Sequence, residues 1–159
     1  MTTLRAVRRS DRTLDRAEAL QVLAAADHGV LATVGPDGQP YAVPLNHVLT
    51  ENVIYAHCAL QGHKLENMAH EPRVSYCAIE DVAVDPAALS TYYASAIAFG
   101  TAELVADDGE KFQALQLLVE RYCGEVSAAN AAHIASLLPR TGVIRIRIDE
   151  ISGKAHRKE

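Results

Sequence analysis

Tryptophan is absent from this 159-residue chain, and six tyrosines and two phenylalanines are its only aromatic side chains. Its core must therefore be built mainly from aliphatic residues, which the hydrophobic fraction of 49% can supply. No apolar run approaches the roughly 20 residues that a membrane-spanning helix needs. The N-terminus carries arginines with no apolar stretch behind them, so it does not read as a secretory leader. Cysteine is scarce: Cys58, Cys77 and Cys123 are odd in number and not closely paired. This fits reduced thiols and gives the cytoplasm as the default location. Cys58 reads as a small packing residue, and Cys77 and Cys123 as core positions of a strand and a helix.

An excess of positive charge is lacking too. The formal net charge is −5, which argues against a nucleic-acid partner, because phosphate binding needs clustered positive potential. Arg5, Arg8, Arg9, Arg12 and Arg16 do cluster, and they read as a solvated N-terminal arm (1–13) followed by a first helical turn. Nowhere is there a nucleophile elbow, a phosphate-binding Walker loop or a dinucleotide fingerprint, which leaves hydrolase and nucleotidase readings without support. His57, Cys58 and His63 are loosely spaced like metal ligands, but no fourth ligand joins them and neighbours on a strand face opposite ways. No metal site is expected.

What is present fits one domain over residues 1–159. Asp15-Arg-Ala-Glu18 resembles a capping box and opens a helix to about Ala26, with Leu20, Leu23 and Ala24 as its buried stripe. Val30–Val34 and Tyr41–Leu49 flank the turn Gly35-Pro-Asp-Gly38 and predict a hairpin. Pro44 cannot donate a ladder hydrogen bond, so it marks an edge, a bulge or a place where a ligand takes over the pairing. Further strands are expected at Val53–Tyr55, Arg73–Ile79, Tyr92 to about Val105 and Val143–Ile151, with a loop over 81–90 covering an edge. Even positions of the long strand, Ala94 to Ala102, are all small, which suits either tight packing or the approach of a backbone or flat ligand. Helices near 64–70, after Asp107 and over 128–138 complete about six strands and three or four helices. The fold class is α+β, a small antiparallel barrel with peripheral helices.

The segment with most chemistry is Tyr55-Ala-His-Cys-Ala-Leu-Gln-Gly-His-Lys64. A strand delivers His57 and Cys58 to its end, and Gly62, His63 and Lys64 then open a helix. Free amides, the helix dipole and a lysine charge make that point a plausible anion socket, suited to a phosphorylated ligand.

These pieces, in their order along the chain, resemble the pyridoxamine 5′-phosphate oxidase-related FMN-binding split barrels, above all their nitroimidazole-resistance (Nim-type) branch. The likeness rests on Gly29–Val34, Gly38–Asn46, His57–Asn67, Pro72–Ser75, Tyr93–Ala102, Arg140–Ile144 and Ile151–Lys154. The resemblance implies a split barrel, a homodimer with two FMN sites at the subunit interface, and electron transfer from reduced flavin to a small acceptor such as a nitroaromatic. It implies that Val43, Pro44, Leu45 and Asn46 lie along the ring, and that Gly62, His63, Lys64 and Leu65 meet the phosphate beside Cys58. Tyr92, Tyr93 and Ser95 of the second subunit would close the site, and His57 would have a catalytic or substrate role. Where relatives often carry Ser-Arg-Lys this chain has Gly62-His63-Lys64, exchanging a fixed guanidinium for an imidazole. The basic C-terminal substrate segment of true pyridoxamine-phosphate oxidases has no counterpart here. Alternatives within the resemblance are FAD, the deazaflavin F420, or a haem- or flavin-binding module without turnover.

Overall fold

The computed structural model describes residues 5–158; residues 1–4 of the expected arm, and Glu159, lie outside the described residues. Among those described are eight strands and four α-helices. They run β1 (Thr13–Leu14), α1 (Arg16–Ala25), β2 (Gly29–Val34), β3 (Pro40–Leu45), β4 (Val48–Thr50) and β5 (Val53–Cys58). There follow α2 (His63–His70), β6 (Arg73–Asp85), β7 (Ser90–Leu104), α3 (Asp108–Cys123), α4 (Ala128–Leu137) and β8 (Gly142–His156).

Every pairing is antiparallel, and the sheet runs β3-β2-β6-β7-β8-β5-β4, with β1 added to β8. The two outermost strands, β3 and β4, are consecutive in the chain, with only Asn46 and His47 between them. Laid flat, seven strands would hold these edges about 29 Å apart. Three peptide steps reach only about 11 Å. The sheet must therefore curl until its edges converge at Asn46–His47, and it stays open there. That is the expected α+β split barrel.

The expected six strands become eight for local reasons. Tyr41–Leu49, read as one run, breaks at Asn46–His47 because the chain must pass from one sheet edge to the other. β1 has two residues, too few for a period to show. The expected loop at 81–90 is instead a continuation of β6 and β7 as a two-stranded ribbon, with Ala83 opposite Tyr92 beyond a register shift. The shift carries Asp81 into the left-handed region at φ 53°, which no alternation pattern announces.

Alternation sorts the remaining side chains. Ile144, Ile146 and Ile148 of β8 are buried, as expected, and so are Ala94, Ala96, Ala98, Gly100 and Ala102 of β7. Their small face packs on α1, whose Ala19, Val22 and Leu23 join the same core; close packing is thus what the small residues serve. The buried stripe of α1 is centred on these three residues, while the expected Leu20 and Ala24 are only half-buried at its flank. The capping box forms as expected: Asp15 accepts from the Glu18 amide at 2.8 Å and Glu18 accepts from the Asp15 amide at 2.9 Å. Cys58 is buried as expected, but the other two thiols are not core residues. Cys77 is half-exposed on the outer face of β6, opposite in sense to its buried neighbours Tyr76 and Ala78, and Cys123 is exposed at the end of α3.

Candidate cofactor site

β3 pairs only with β2, so its other edge is open, and Pro44 sits on that edge strand opposite Val30. A residue without an N–H costs little there. Along β3, Tyr41, Val43 and Leu45 are half-buried, the latter two against the core, whereas Ala42, Pro44 and Asn46 face out. The Leu45 carbonyl accepts from the Tyr76 hydroxyl at 3.0 Å. Among the described residues, neither the amide nor the carbonyl of Asn46 has a hydrogen-bond partner.

α2 begins beside this edge. Its N-cap is Gly62 at φ 132°, a conformation that L side chains rarely adopt, and a Cβ there would meet nothing within 4 Å. The other three α-helices are capped by side chains: Asp15, Asp107 and Ser127 each accept from an amide of the first turn. α2 has no such cap. The Leu65 and Glu66 amides both donate to Gly62 O, at 2.9 and 3.2 Å, while those of His63 and Lys64 find no acceptor among the described residues. Two free amides at a positive dipole end are donors of the kind an anion accepts. The helix is fixed from beneath, where Asn67 donates to the Thr33 hydroxyl at 3.0 Å with both side chains buried.

Side chains from three elements meet at this point. The His63 ring stacks on Tyr41 of β3 with centroids 4.2 Å apart. Leu65 packs on the core. Burial pushes the Cys58 thiol up, and the Lys64 charge opposes that shift. His57 is exposed and, one residue before the buried Cys58, faces the other way. Val43, Pro44, Leu45 and Asn46 thus lie along the open edge of β3, the Tyr41–His63 contact sets the start of α2 (Gly62, His63, Lys64 and Leu65) beside that strand, and Cys58 is buried at the end of β5, with His57 facing the other way.

Tyr92, Tyr93 and Ser95 lie elsewhere in the same protomer. They belong to β7, three places along the sheet from β3, which is about 14 Å. Tyr92 packs on the ring of His156 at 4.9 Å, Lys154 stands 5.5 Å from the Tyr93 ring centre, and Ser95 donates to Lys154 O at 3.2 Å. Lys154 holds the Tyr93 phenol below its ordinary range. From β3 the outer face runs across β2 and β6 to β7 and on to β8, and on it Val30, Ile79, Ile97 and Phe99 are each more than a third exposed. A groove of about 860 Å³ crosses it.

Sequence reasoning missed two residues here. Tyr41 reads in the sequence only as a strand residue, though its position two before Val43 puts it on the same face. His47 reads as part of the same strand; the polar pair Asn46–His47 between apolar runs is the sign of a break.

An open barrel with an uncapped helix start at its split defines a class, the split-barrel α+β proteins. Within it, the family described as pyridoxamine 5′-phosphate oxidase matches residues 15–155, and the chain belongs to that family. No curated protein sequence matches it. Among solved structures, a candidate 5-nitroimidazole antibiotic resistance protein from Bacteroides thetaiotaomicron is similar at 20% identity and a TM-score of 0.76, covering 90% of this chain and 86% of that one. A FAD-binding protein from Mesorhizobium loti is 28% identical at a TM-score of 0.67, covering 92% and 97%. A FAD and haem binding protein from Mycobacterium smegmatis is 22% identical at a TM-score of 0.70, covering 91% and 72%. The first and third share the fold with this chain. No helix of the described residues is long and apolar enough to cross a membrane.

Proposed function

We propose that the chain is a flavin-dependent oxidoreductase that binds FMN at the split and works as a homodimer. The observation that carries this reading is the uncapped start of α2, with two free amides and Lys64, beside the open edge of β3. Those residues fit a phosphorylated, planar ligand. Lys64 and the amides of His63 and Lys64 hold the phosphate, and Gly62 leaves room for it. The free main-chain groups of Asn46 face the polar edge of the ring, and Val43 and Leu45 back it with apolar surface. Bound flavin supplies the hydride or electron transfer that no side chain can. His57, exposed beside the site, hands a proton to the reduced acceptor, because an imidazole gives or takes protons near neutrality. The acceptor is a small planar molecule, with a nitroaromatic as the first candidate.

The second copy supplies what one protomer lacks. Tyr92, Tyr93 and Ser95 belong to a strand three places from β3 in their own chain, which favours their closing the site of a second copy, and the exposed apolar face offers the surface for pairing. Ile97→Glu, placed in the middle of that face, is expected to give a folded monomer that retains no flavin. Sedimentation with absorbance detection checks this, and a flavin-loaded monomer would remove the interface from the site.

The first test of the cofactor is an absorption spectrum before and after adding FMN and desalting. Retained isoalloxazine bands are expected. Protein that emerges colourless from saturating FMN overturns the flavin reading.

A further inference from the structure

We infer that His47 is a positioning residue: with Tyr122 and Tyr76 it holds the 45–47 main chain in the shape the cofactor edge meets, and only its neutral form does so. This rests on the flavin reading for its ligand, though not for its geometry. His47 is fully buried behind the split, one residue from the free main-chain groups of Asn46. Its Nε2 lies 2.7 Å from the Leu23 carbonyl, which can only accept, so Nε2 carries the proton. Nδ1 is then an unprotonated nitrogen, buried and with no partner among the described residues. The Tyr122 hydroxyl accepts from the His47 amide at 3.0 Å and lies within donating distance of the carbonyls of His47 (2.8 Å) and Asp27 (2.6 Å). On the other side, Tyr76 donates to Leu45 O and packs edge-on against the imidazole at 5.1 Å. The main chain on each side of Asn46 is thereby tied, and Asn46 alone is left to a ligand.

The same cluster finishes α1. A helix leaves its last carbonyls unpaired, and α1 ends at Ala26 with no glycine cap. Instead Leu23 O takes the His47 proton, Ala24 O and Ala26 O take the two arms of Arg121, and Asp27 O takes Tyr122. His47 thus joins α1 through its ring and α3 through its main chain, at the link between the two sheet edges.

A second proton on His47 has nowhere to go. Tyr76 from β6 packs on the ring, Tyr122 from α3 bonds the His47 main chain, and Arg121 of α3 and His28 beyond α1 oppose a charge on the ring; none of these is a carboxylate. Burial is the largest cause and favours the neutral ring, outweighing the Leu23 hydrogen bond, which favours the charged one. The sign follows. The unfolded chain takes up this proton as pH falls below about 6.5, and the folded chain does so only at lower pH. The stabilisation is fully present above that value and is lost progressively below it, locally first at the hub.

The test is hydrogen exchange of ligand-free protein between about pH 8 and 5.5, corrected for intrinsic rates, together with riboflavin affinity over the same range. Riboflavin has no phosphate, so the α2 socket does not enter. In the wild type, protection of residues 22–28 and 44–50 is expected to fall about tenfold relative to β6–β7, and riboflavin affinity to fall with it. His47→Gln keeps an N–H for Leu23 O but does not titrate, and both losses should vanish. Tyr122→Phe, which keeps the ring and removes the hydroxyl, should loosen 44–50 already at pH 8 and serves if the glutamine variant does not fold. Flat protection in the wild type, or an unchanged acid response in His47→Gln, overturns the inference. Riboflavin affinity independent of pH while the segment opens overturns its link to the cofactor. No riboflavin binding at any pH, with the segment opening as described, sinks the flavin reading and leaves the positioning of 45–47 standing.

Discussion

Lys64→Ala is expected to weaken FMN binding by about 10- to 150-fold while leaving riboflavin affinity within about twofold. Charge-assisted hydrogen bonds contribute about 1.5–3 kcal/mol, and Lys64 is the full cation at the start of α2. The free amides of His63 and Lys64 remain in the variant, so binding should be reduced but not lost. Titration by flavin fluorescence at low and moderate salt checks both halves, because the lysine contribution should shrink as salt rises. Equal weakening of FMN and riboflavin would mean that Lys64 supports the fold of the site and not the phosphate. No change in either would remove it from the site.

The largest effect on stability is expected at Gly100. A Cβ built there would lie 1.9 Å from the Arg147 carbonyl oxygen and 2.9 Å from its carbonyl carbon, both of them main-chain atoms of the neighbouring strand β8. Backbone in mid-sheet cannot step aside as a side chain can. The position coincides with the irregularity that leaves Asp149 unpaired between Ile148 and Glu150. Gly100→Ala should therefore cost more than about 3 kcal/mol, a drop in melting temperature of roughly 6–12 °C or more for a chain of this size. Gly38→Ala is the comparison: its φ is +77° but its Cβ would meet nothing within 4 Å. Only backbone strain acts there, about 1–2 kcal/mol. A Gly100→Ala protein melting within 2 °C of wild type would contradict the close approach of β7 and β8.

Gly100 was visible in the sequence only as one of five small residues at alternate positions. The period of two could say that Ala94, Ala96, Ala98, Gly100 and Ala102 share a face, and they do; it could not say that a neighbouring main chain touches one of them. Local chemistry was legible wherever one residue decides the outcome. Asp15 with Glu18 announced the start of α1, Pro44 an edge, a bulge or a ligand contact, and Gly62 with its neighbours the start of a helix. What escaped depended on distant partners. His47 looks like any strand residue until α1 and α3 close over it. Cys77 and Cys123 are apolar enough for a core, yet each falls where the elements turn outward. The ribbon beyond Ile79 reads as a loop because its strands pair only with each other, with no core on either side to impose alternation.

The place of β8 in the sheet sets a timetable. This strand pairs with β7 on one side and β5 on the other, and it also receives β1, so that Thr13 meets Lys154. Without residues 142–156, β4 and β5 pair only with each other and are cut off from the rest of the sheet, and the pocket that α1 fills has no floor. A nascent chain emerging at about 5–20 residues per second must hold β1 and the β4–β5 pair apart from the rest of the sheet for several seconds, with the inner faces of β5 and β7 uncovered. The barrel then closes in one late event at its centre and not by growth from an edge. Such non-local closure is slow, and the unfinished sheet is the form of this protein most in need of a chaperone.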